Sequence, residues 1–331
     1  MSEVLVQATR GNLVENIYRG DVVVVQGDGK VLFSLGDPEK QTYWRSSAKP
    51  FQVLPFIEAG GLEKYQITPQ ELALMCASHG GESEHVALAA GLLKKIGFAE
   101  PDLRCGSAPP MNISAMRKIL EQDETWNQLH NCCSGKHAAM LALAAMKNYH
   151  QDHYEEISHP VQQEMLGAIS QVTEVSVESI GIGTDGCGVP IYYLPLSRMA
   201  YAYATLSQPE GFVSRVRTQA MNHIAKAMTG HPWFVAGTGR LDTILMEVTQ
   251  GRLLAKLGAD GVYGISVMGE GLGIALKIES GEVRAIDPLI VKLLHRMAFI
   301  TEEERAAMEE QLDFHIYNHR KEVIGKLECT I

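Results

Sequence analysis

This 331-residue chain has no run of 18 apolar residues, so no transmembrane helix is expected. Its first residues, MSEVLVQATRGNLVEN, lack a basic start followed by an apolar stretch, so no signal peptide is expected. Positive charge is scarce. Lys and Arg number 29 against 39 Asp and Glu, and the net charge of -10 argues against a nucleic-acid or anionic-membrane partner. Cysteine is scarce too. There are six, none forming a C-x-x-C pair, which argues against a zinc-finger-like site. Without a secretory signal, these six read as reduced thiols or metal ligands rather than a disulfide framework. Repeats, low-complexity tracts and linkers are missing. What remains is ordinary globular composition, 46% hydrophobic with mean hydropathy -0.04, and a cytoplasmic protein is expected.

The length allows one large domain or two small ones. Strand patterns fill the first forty residues. Asp21–Gln26 and Lys30–Leu35 flank Gly27-Asp28-Gly29, a hairpin signal. From Ser47 the pattern turns helical. Thr68-Pro69-Gln70-Glu71 joins a capping box to Pro at the first helical position, and predicts a helix that ends near His79-Gly80-Gly81. Further helices are predicted at 83–96, 112–122, 134–148, 159–173, 197–207 and 212–228. Strands are predicted near 179–183, 190–194, 252–257, 263–268, 273–279 and 282–286. Two amphipathic or acidic helices and a short closing strand follow. This order predicts an α+β fold: a mixed, mainly antiparallel sheet flanked by helices, plus a helical region. A single catalytic domain over 1–331 is expected, with the sheet drawn from both termini and a helical middle at about 60–230.

Ser46-Ser47-Ala48-Lys49-Pro50 stands where strands give way to helix. A Ser three residues before a Lys at a helix start places hydroxyl and amine on one face. A helix N-terminus also stabilises negative charge on the Ser oxygen. This is the chemistry of a Ser nucleophile with a Lys base, as in the S-x-x-K motif of β-lactamases and penicillin-binding proteins. A chain this long carries about one such spacing by chance, so its companions give it weight.

One companion is His130-Asn131-Cys132-Cys133-Ser134-Gly135-Lys136-His137, which opens a run of small apolar residues. Adjacent cysteines do not easily face one site together. A buried Cys is commonly an inert small hydrophobe. Another companion is Gly183-Thr184-Asp185-Gly186-Cys187-Gly188-Val189-Pro190, whose glycines suit close backbone approach. A metal held by Cys133, Cys187 and a nearby N or O ligand is one reading of this pair of segments.

Taken in order, several stretches resemble the rhizobial-type L-asparaginases, the asparaginase II or class 3 family. They are Arg45–Gln52, Cys76–Glu82, Asn131–His137, Asp185–Pro190, Ala236–Arg240 and Lys256–Val262. The likeness runs from Arg10 to about Leu293. It implies a fold similar to serine β-lactamases and glutaminases, hydrolysis of L-asparagine to L-aspartate and ammonia, and a homodimer. It implies two Ser-Lys pairs, Ser46 with Lys49 and Ser78 with Lys256, with Ser46 as nucleophile. It implies one zinc on Cys133, Lys136 and Cys187; a lysine ligand must shed its proton, which a cation enforces. Two departures are visible. Tyr18 stands where His is more usual, and Leu257 occupies the middle of the strand motif that is Lys-Thr-Gly in β-lactamases.

The residues support the same chemistry on their own terms. Amide hydrolysis needs a nucleophile, a base and oxyanion donors. Lys49 can be a base only as a neutral amine, and the same holds for Lys256. Backbone N–H groups around Ser46 are the expected oxyanion donors. Ser78 is expected to relay protons with Lys256, or else to bond its own helix end. For an amino-acid substrate, Asp185 is the candidate for the α-amine, and Arg45 and Arg240 for the α-carboxylate. Each Arg reads equally as a structural ion-pair partner. His79, His85 and His137 are placed to support the site, and His79 and His137 are counted among the substrate-binding candidates.

Two other functions fit less of the sequence. A glutaminase or broader amide hydrolase differs by one methylene in its pocket. A non-catalytic metal-binding or sensing protein would keep the Ser-Lys pairs as relics. A penicillin-recognising enzyme is disfavoured, because Ser-x-Asn and Lys-Thr-Gly are absent in clear form.

Overall fold

The computed structural model describes every residue, Met1–Ile331. Its eleven strands are β1 (Glu3–Arg10), β2 (Leu13–Gln26), β3 (Val31–Leu35), β4 (Gln41–Tyr43), β5 (Gly181–Thr184), β6 (Pro190–Pro195), β7 (Leu253–Gly258), β8 (Val262–Val267), β9 (Leu272–Ile278), β10 (His315–Tyr317) and β11 (Val323–Cys329). The α+β class expected from the sequence is the class found. The chain divides into two compact units, each assembled from separated segments.

The first unit comprises Met1–Thr42, Pro195–Gln208 and Gly239–Ile331. Its eight-stranded sheet has the order β10-β11-β1-β2-β9-β8-β7, with β3 also on β2. Adjacent strands pair antiparallel, and both termini contribute. Side chains alternate across a strand, so Val22 and Val24 of β2 join Ile265, Ile274 and Leu276 on one face. On that face the helices Leu241–Val248 and Ile286–Arg296 lay down Leu241, Ile244, Leu245, Leu289, Ile290 and Leu293. The helix Leu196–Ser207 covers the other face. Its approach depends on glycine: a Cβ on Gly273 would sit 2.0 Å from Ala200 O, and one on Gly264 would sit 2.1 Å from the Tyr203 ring. The strand expected at 282–286 is a 3-10 turn, Val283–Ala285, running into the helix Ile286–Arg296. The Glu282 carboxylate accepts the Arg284 N–H and starts the turn. From there Ile286, Leu289, Ile290, Leu293 and Leu294 follow a helical period, which overrides the short extended pattern before them.

The second unit comprises Tyr43–Leu194 and Pro209–Thr238. It is mainly helical. The helix Ser134–Lys147 is its centre, buried at every position from Ser134 to Ala144. The helices Pro69–Met75 and Ser83–Ile96 pack on it. Thr68 forms the capping box expected of it, accepting the Glu71 N–H while the Glu71 carboxylate accepts the Thr68 N–H. The helix expected at 212–228 starts at Arg215, because the Ser214 hydroxyl caps it by accepting the Arg217 N–H. β5 and β6 pair antiparallel, and the Trp44 N–H donates to Tyr192 O beside them.

Candidate active site

In the helical unit a close helix contact gathers the site. Gly135 lies one residue into its helix, where a Cβ would be 2.1 Å from Leu74 O. The start of that helix therefore presses on the end of Pro69–Met75. This brings Cys132 and Cys133 near Ala77 and Ser78. The third segment is the 3-10 turn Arg45–Ala48, which passes directly into the short helix Lys49–Gln52. Arg45 enters the turn at φ +50, a left-handed conformation that costs about 1–3 kcal/mol for a non-glycine residue and is concentrated at functional positions.

Lys49 is buried at 1% exposure. Its Nζ lies 2.5 Å from Ala77 O, 3.0 Å from Ser78 Oγ and 3.5 Å from Cys132 O. The Lys49 amine is therefore hydrogen-bonded to the Ser78 hydroxyl and not to that of Ser46. Ser46 is half-buried. The turn is held by its neighbour, since the buried Ser47 hydroxyl donates to Trp44 O at 2.6 Å.

The two cysteine segments also converge. Cys133 Sγ, Cys187 Sγ and an Asp185 carboxylate oxygen lie within 4.8 Å of one another. Lys136 Nζ is 3.2 Å from Cys187 Sγ. All six cysteines are free thiols. Asn131 fixes one side, its amide donating to Cys105 O and Gly106 O while its oxygen accepts the Cys133 N–H. The other side is a tight loop in which the Asp185 N–H bonds Val189 O and the Gly188 N–H bonds Asp185 O, with Gly188 at φ +87. Contacts with Cys132 and Cys187 hold the Cys133 thiol well below its ordinary range, while the contact with Cys133 and burial push the Cys187 thiol up. Burial lowers Lys136, but Cys187, Cys133 and Asp185 outweigh it and raise Lys136 above its ordinary range. Arg45 places both Nε and Nη2 on Asp185 Oδ1, at 3.0 and 2.9 Å.

The histidines are internal. His79 Nδ1 accepts the Gly81 N–H, so Nε2 carries the proton and donates to Ser134 Oγ at 2.9 Å. His79 stacks on His85, which stacks on Trp233. His137 Nδ1 accepts the Tyr154 hydroxyl at 2.8 Å, and its Nε2 is buried without a partner. Burial lowers His79 well below the imidazole range and lowers His137 to about 3. Both are neutral at working pH. A depressed folded-state value means that the unfolded chain takes up the proton first. Stability contributed by His137 is whole above about 6.5, and is lost as pH falls toward about 3. Denaturant titrations between those limits should show a fall of about 1.4 kcal/mol per pH unit for each such histidine. His137→Gln should flatten that dependence.

Lys256 and Arg240 belong to the sheet unit. Lys256, on β7, is fully buried, 3.7 Å from Asp242 Oδ2. Within the helical unit the Glu82 carboxylate accepts the Thr238 N–H and the Thr238 hydroxyl, at 2.9 and 2.8 Å. An open cavity of about 800 Å³ lies over Gly81–Glu84, but none of the Ser-Lys or Cys residues lines it.

The L-asparaginase II family profile matches residues 6–329. The chain belongs to this family. No curated protein sequence matches the chain. Among solved structures, the chain is similar to one described as Mglu in its native form, at 12% identity and TM-score 0.38, over 85% of this chain and 64% of that one. A putative β-lactamase from Bacteroides dorei is 12% identical at TM-score 0.42, over 83% and 93% of the two chains. A β-lactamase from Mycobacterium bovis is 11% identical at TM-score 0.36, over 80% and 88%. The chain thus spans just under two thirds of the length of Mglu. No helix is long and apolar enough to cross a membrane.

In this asparaginase-family protein, Lys49 meets Ser78, and Cys133, Lys136, Cys187, Asp185 and Arg45 form one contiguous group. Ser46 is in the same turn as Lys49, joined to it through the backbone and not through its hydroxyl. His79 and His137 lie within the helical unit as buried, neutral groups with partners of their own. The sequence reading missed Asp185 as a neighbour of the thiols. It also missed Asn131 and Tyr154 as supports, and Asp242. Of these, Asp185 and Asn131 carried a signal, each standing two residues before a cysteine, Cys187 and Cys133.

Proposed function

We propose that the protein hydrolyses L-asparagine to L-aspartate and ammonia through a serine acyl-enzyme, with Lys49 as the base. The observation that carries this reading is the hydrogen-bonding of Lys49. A neutral amine has two N–H bonds and one lone pair. The carbonyls of Ala77 and Cys132 take the two N–H bonds, leaving the lone pair for the Ser78 hydroxyl. Ser46, the more exposed hydroxyl in the turn, is the attacking oxygen. Its oxygen bonds to the amide carbon as the C–N bond breaks. The Ser46 hydroxyl proton passes to Ser78 as Ser78 gives its own to the Lys49 lone pair, the proton returns by the same path to the departing ammonia, and water then cleaves the ester. Backbone N–H groups at the turn are the oxyanion donors. A zwitterionic substrate matches the Arg45–Asp185 pair, its carboxylate on the guanidinium and its ammonium on the carboxylate.

One observation favours a second reading, in which Ser78 attacks, because Ser78 and not Ser46 bonds the base. Ammonia release from L-asparagine and L-glutamine, followed by peptide mapping of the trapped acyl-enzyme, tests both. An ester on Ser46 is expected, with asparagine the faster substrate. An ester on Ser78 selects the second reading, and a faster glutamine reaction makes the protein a glutaminase.

Zinc fits the thiol group. Two buried sulfurs, a carboxylate and an amine within reach of one another suit a borderline-soft cation better than magnesium or calcium. Cys133, Lys136 and Cys187 would hold it. When bound, zinc supplies a positive charge that orients a substrate oxygen. Since Ser46 provides the nucleophile, chelation or Cys187→Ser should raise the Michaelis constant about tenfold while changing kcat by less than about threefold. An unchanged Michaelis constant in native metal-free protein would overturn the zinc assignment.

A further inference from the structure

Within the helical unit the short helix Pro232–Ala236 holds the Ser78 backbone: Val235 O accepts the Ser78 N–H at 2.9 Å. Five residues are too few for a helix to persist without outside support. The support comes from the start of the helix Ser83–Ile96, where Glu82 is the N-cap residue and His85 follows three positions on. Trp233 O can only accept, so His85 Nε2 carries the proton and donates to it at 3.0 Å. The His85 ring also stacks on Trp233, with centroids 4.0 Å apart. At the other end the Glu82 carboxylate accepts both donors of Thr238, and the Thr238 hydroxyl accepts the Trp233 indole N–H at 3.0 Å.

We infer that Glu82 is a positioning residue: by clamping Thr238, and through it Trp233, it fixes the helix Pro232–Ala236 and so holds the Ser78 backbone where the Ser78 hydroxyl meets Lys49. The part this plays in hydrolysis rests on the function proposed above; the clamp on Ser78 does not.

Two features set Glu82 apart from an ordinary helix start. An N-cap side chain commonly accepts a backbone N–H of its own first turn. Glu82 makes no such cap, and both its oxygens go to Thr238 instead. Glycine also makes room for the clamp. Gly237 has φ +101, and a Cβ there would sit 2.5 Å from Glu82 Oε1.

The bonds close a ring. Ser78 is tied to Val235, and four residues on Glu82 is tied to Thr238, three residues beyond Val235. Between the ties lie Gly80 and Gly81 on one segment and Gly237 on the other, residues with the widest backbone freedom. Asn112 N–H on Gly80 O and Gly81 N–H on His79 Nδ1 secure the glycines, but neither reaches the Ser78 N–H. With the Glu82 tie gone, the Ser78 end of the ring loses one of its two anchors. The Ser78 Oγ to Lys49 Nζ contact is 3.0 Å, and a shift of well under 1 Å takes it out of hydrogen-bond range. Misplacement on that scale costs an enzyme up to about a hundredfold.

Amide hydrogen exchange and ammonia release on four proteins test the inference. In ¹⁵N-labelled Glu82→Ala and Thr238→Val the Ser78 amide should exchange at least about tenfold faster than in wild type, while the Leu141 amide, in the middle of the helix Ser134–Lys147, should keep its rate. The same two variants should lose about tenfold or more in kcat on L-asparagine with less than about threefold change in the Michaelis constant. Thr238→Ser, which keeps the bridging hydroxyl, should stay within about twofold of wild type in both readouts. An unchanged Ser78 amide in folded Thr238→Val overturns the inference, as does a faster Ser78 amide with kcat within twofold of wild type. Equal losses in Thr238→Ser and Thr238→Val would overturn it too, and this pair decides even if Glu82→Ala does not fold. If the wild type releases no ammonia from asparagine or glutamine, the proposed function fails, while the Ser78 amide still decides whether Glu82 holds that segment.

Discussion

Ser46→Ala is expected to release ammonia from L-asparagine at least about ten-thousand-fold more slowly than wild type, as loss of a covalent nucleophile does elsewhere. It is expected to unfold at nearly the wild-type temperature. The second half follows from how the turn is built. Its internal bonds come from the Ser47 hydroxyl on Trp44 O and from the Lys49 N–H on Ser46 O, and the Ser46 hydroxyl takes part in neither. Removing a half-buried hydroxyl outside that framework should change stability by no more than about 0.5 kcal/mol. Ser47→Ala gives the opposite pattern. It removes a buried 2.6 Å hydrogen bond, costs about 1 kcal/mol, and should leave most of the activity. A coupled ammonia assay and thermal unfolding on the two variants separate chemistry from architecture. Near-normal turnover in folded Ser46→Ala would move the nucleophile to Ser78.

The helices were legible wherever a cap and a 3.6-residue period agreed. Thr68 to Glu71 is such a case, and so is Ser134–Lys147 with its small-residue run. The β2–β3 hairpin was legible from Gly27-Asp28-Gly29, and the Gln26 N–H indeed bonds Lys30 O across it. Sheet order was not. Alternation along β2 tells which side chains share a face, but not that β1 and β9 flank the strand or that β11 lies beyond β1. The segment 282–286 failed because five residues are too few for either period to show.

The site divides in the same way. Motif resemblance pointed to the convergence of Cys133, Lys136 and Cys187, segments more than fifty positions apart, which spacing cannot encode. The Ser46–Lys49 spacing was readable, but the partner of Lys49 was not. Two carbonyls and Ser78, none of them local in sequence, draw the amine away from its own turn. Asp242 was invisible for another reason. An acid in the first turn of a helix looks like an ordinary response to the helix dipole, and only the fold shows that it reaches back to Leu257 and Lys256.

The second large effect is expected at Lys49. Its three acceptors allow two states. As an ammonium it donates to all three; as an amine it donates to two carbonyls and accepts from Ser78. Only the second state can take a proton from serine. Lys49→Arg keeps the charge, cannot lose its proton at usable pH, and must fit a planar guanidinium into a space that is 1% exposed. A loss of about a thousandfold or more in kcat is expected. Lys49→Met, which keeps the length without the charge, should be equally inactive if Lys49 is the base. If Lys49 acts only by its charge, Arg should retain far more activity than Met. Profiles of kcat from about pH 6 to 10 for the three proteins make the comparison. A folded Lys49→Arg enzyme within tenfold of wild type would show that the base lies elsewhere, and the hydrogen bond to Ser78 would then mark a structural ammonium.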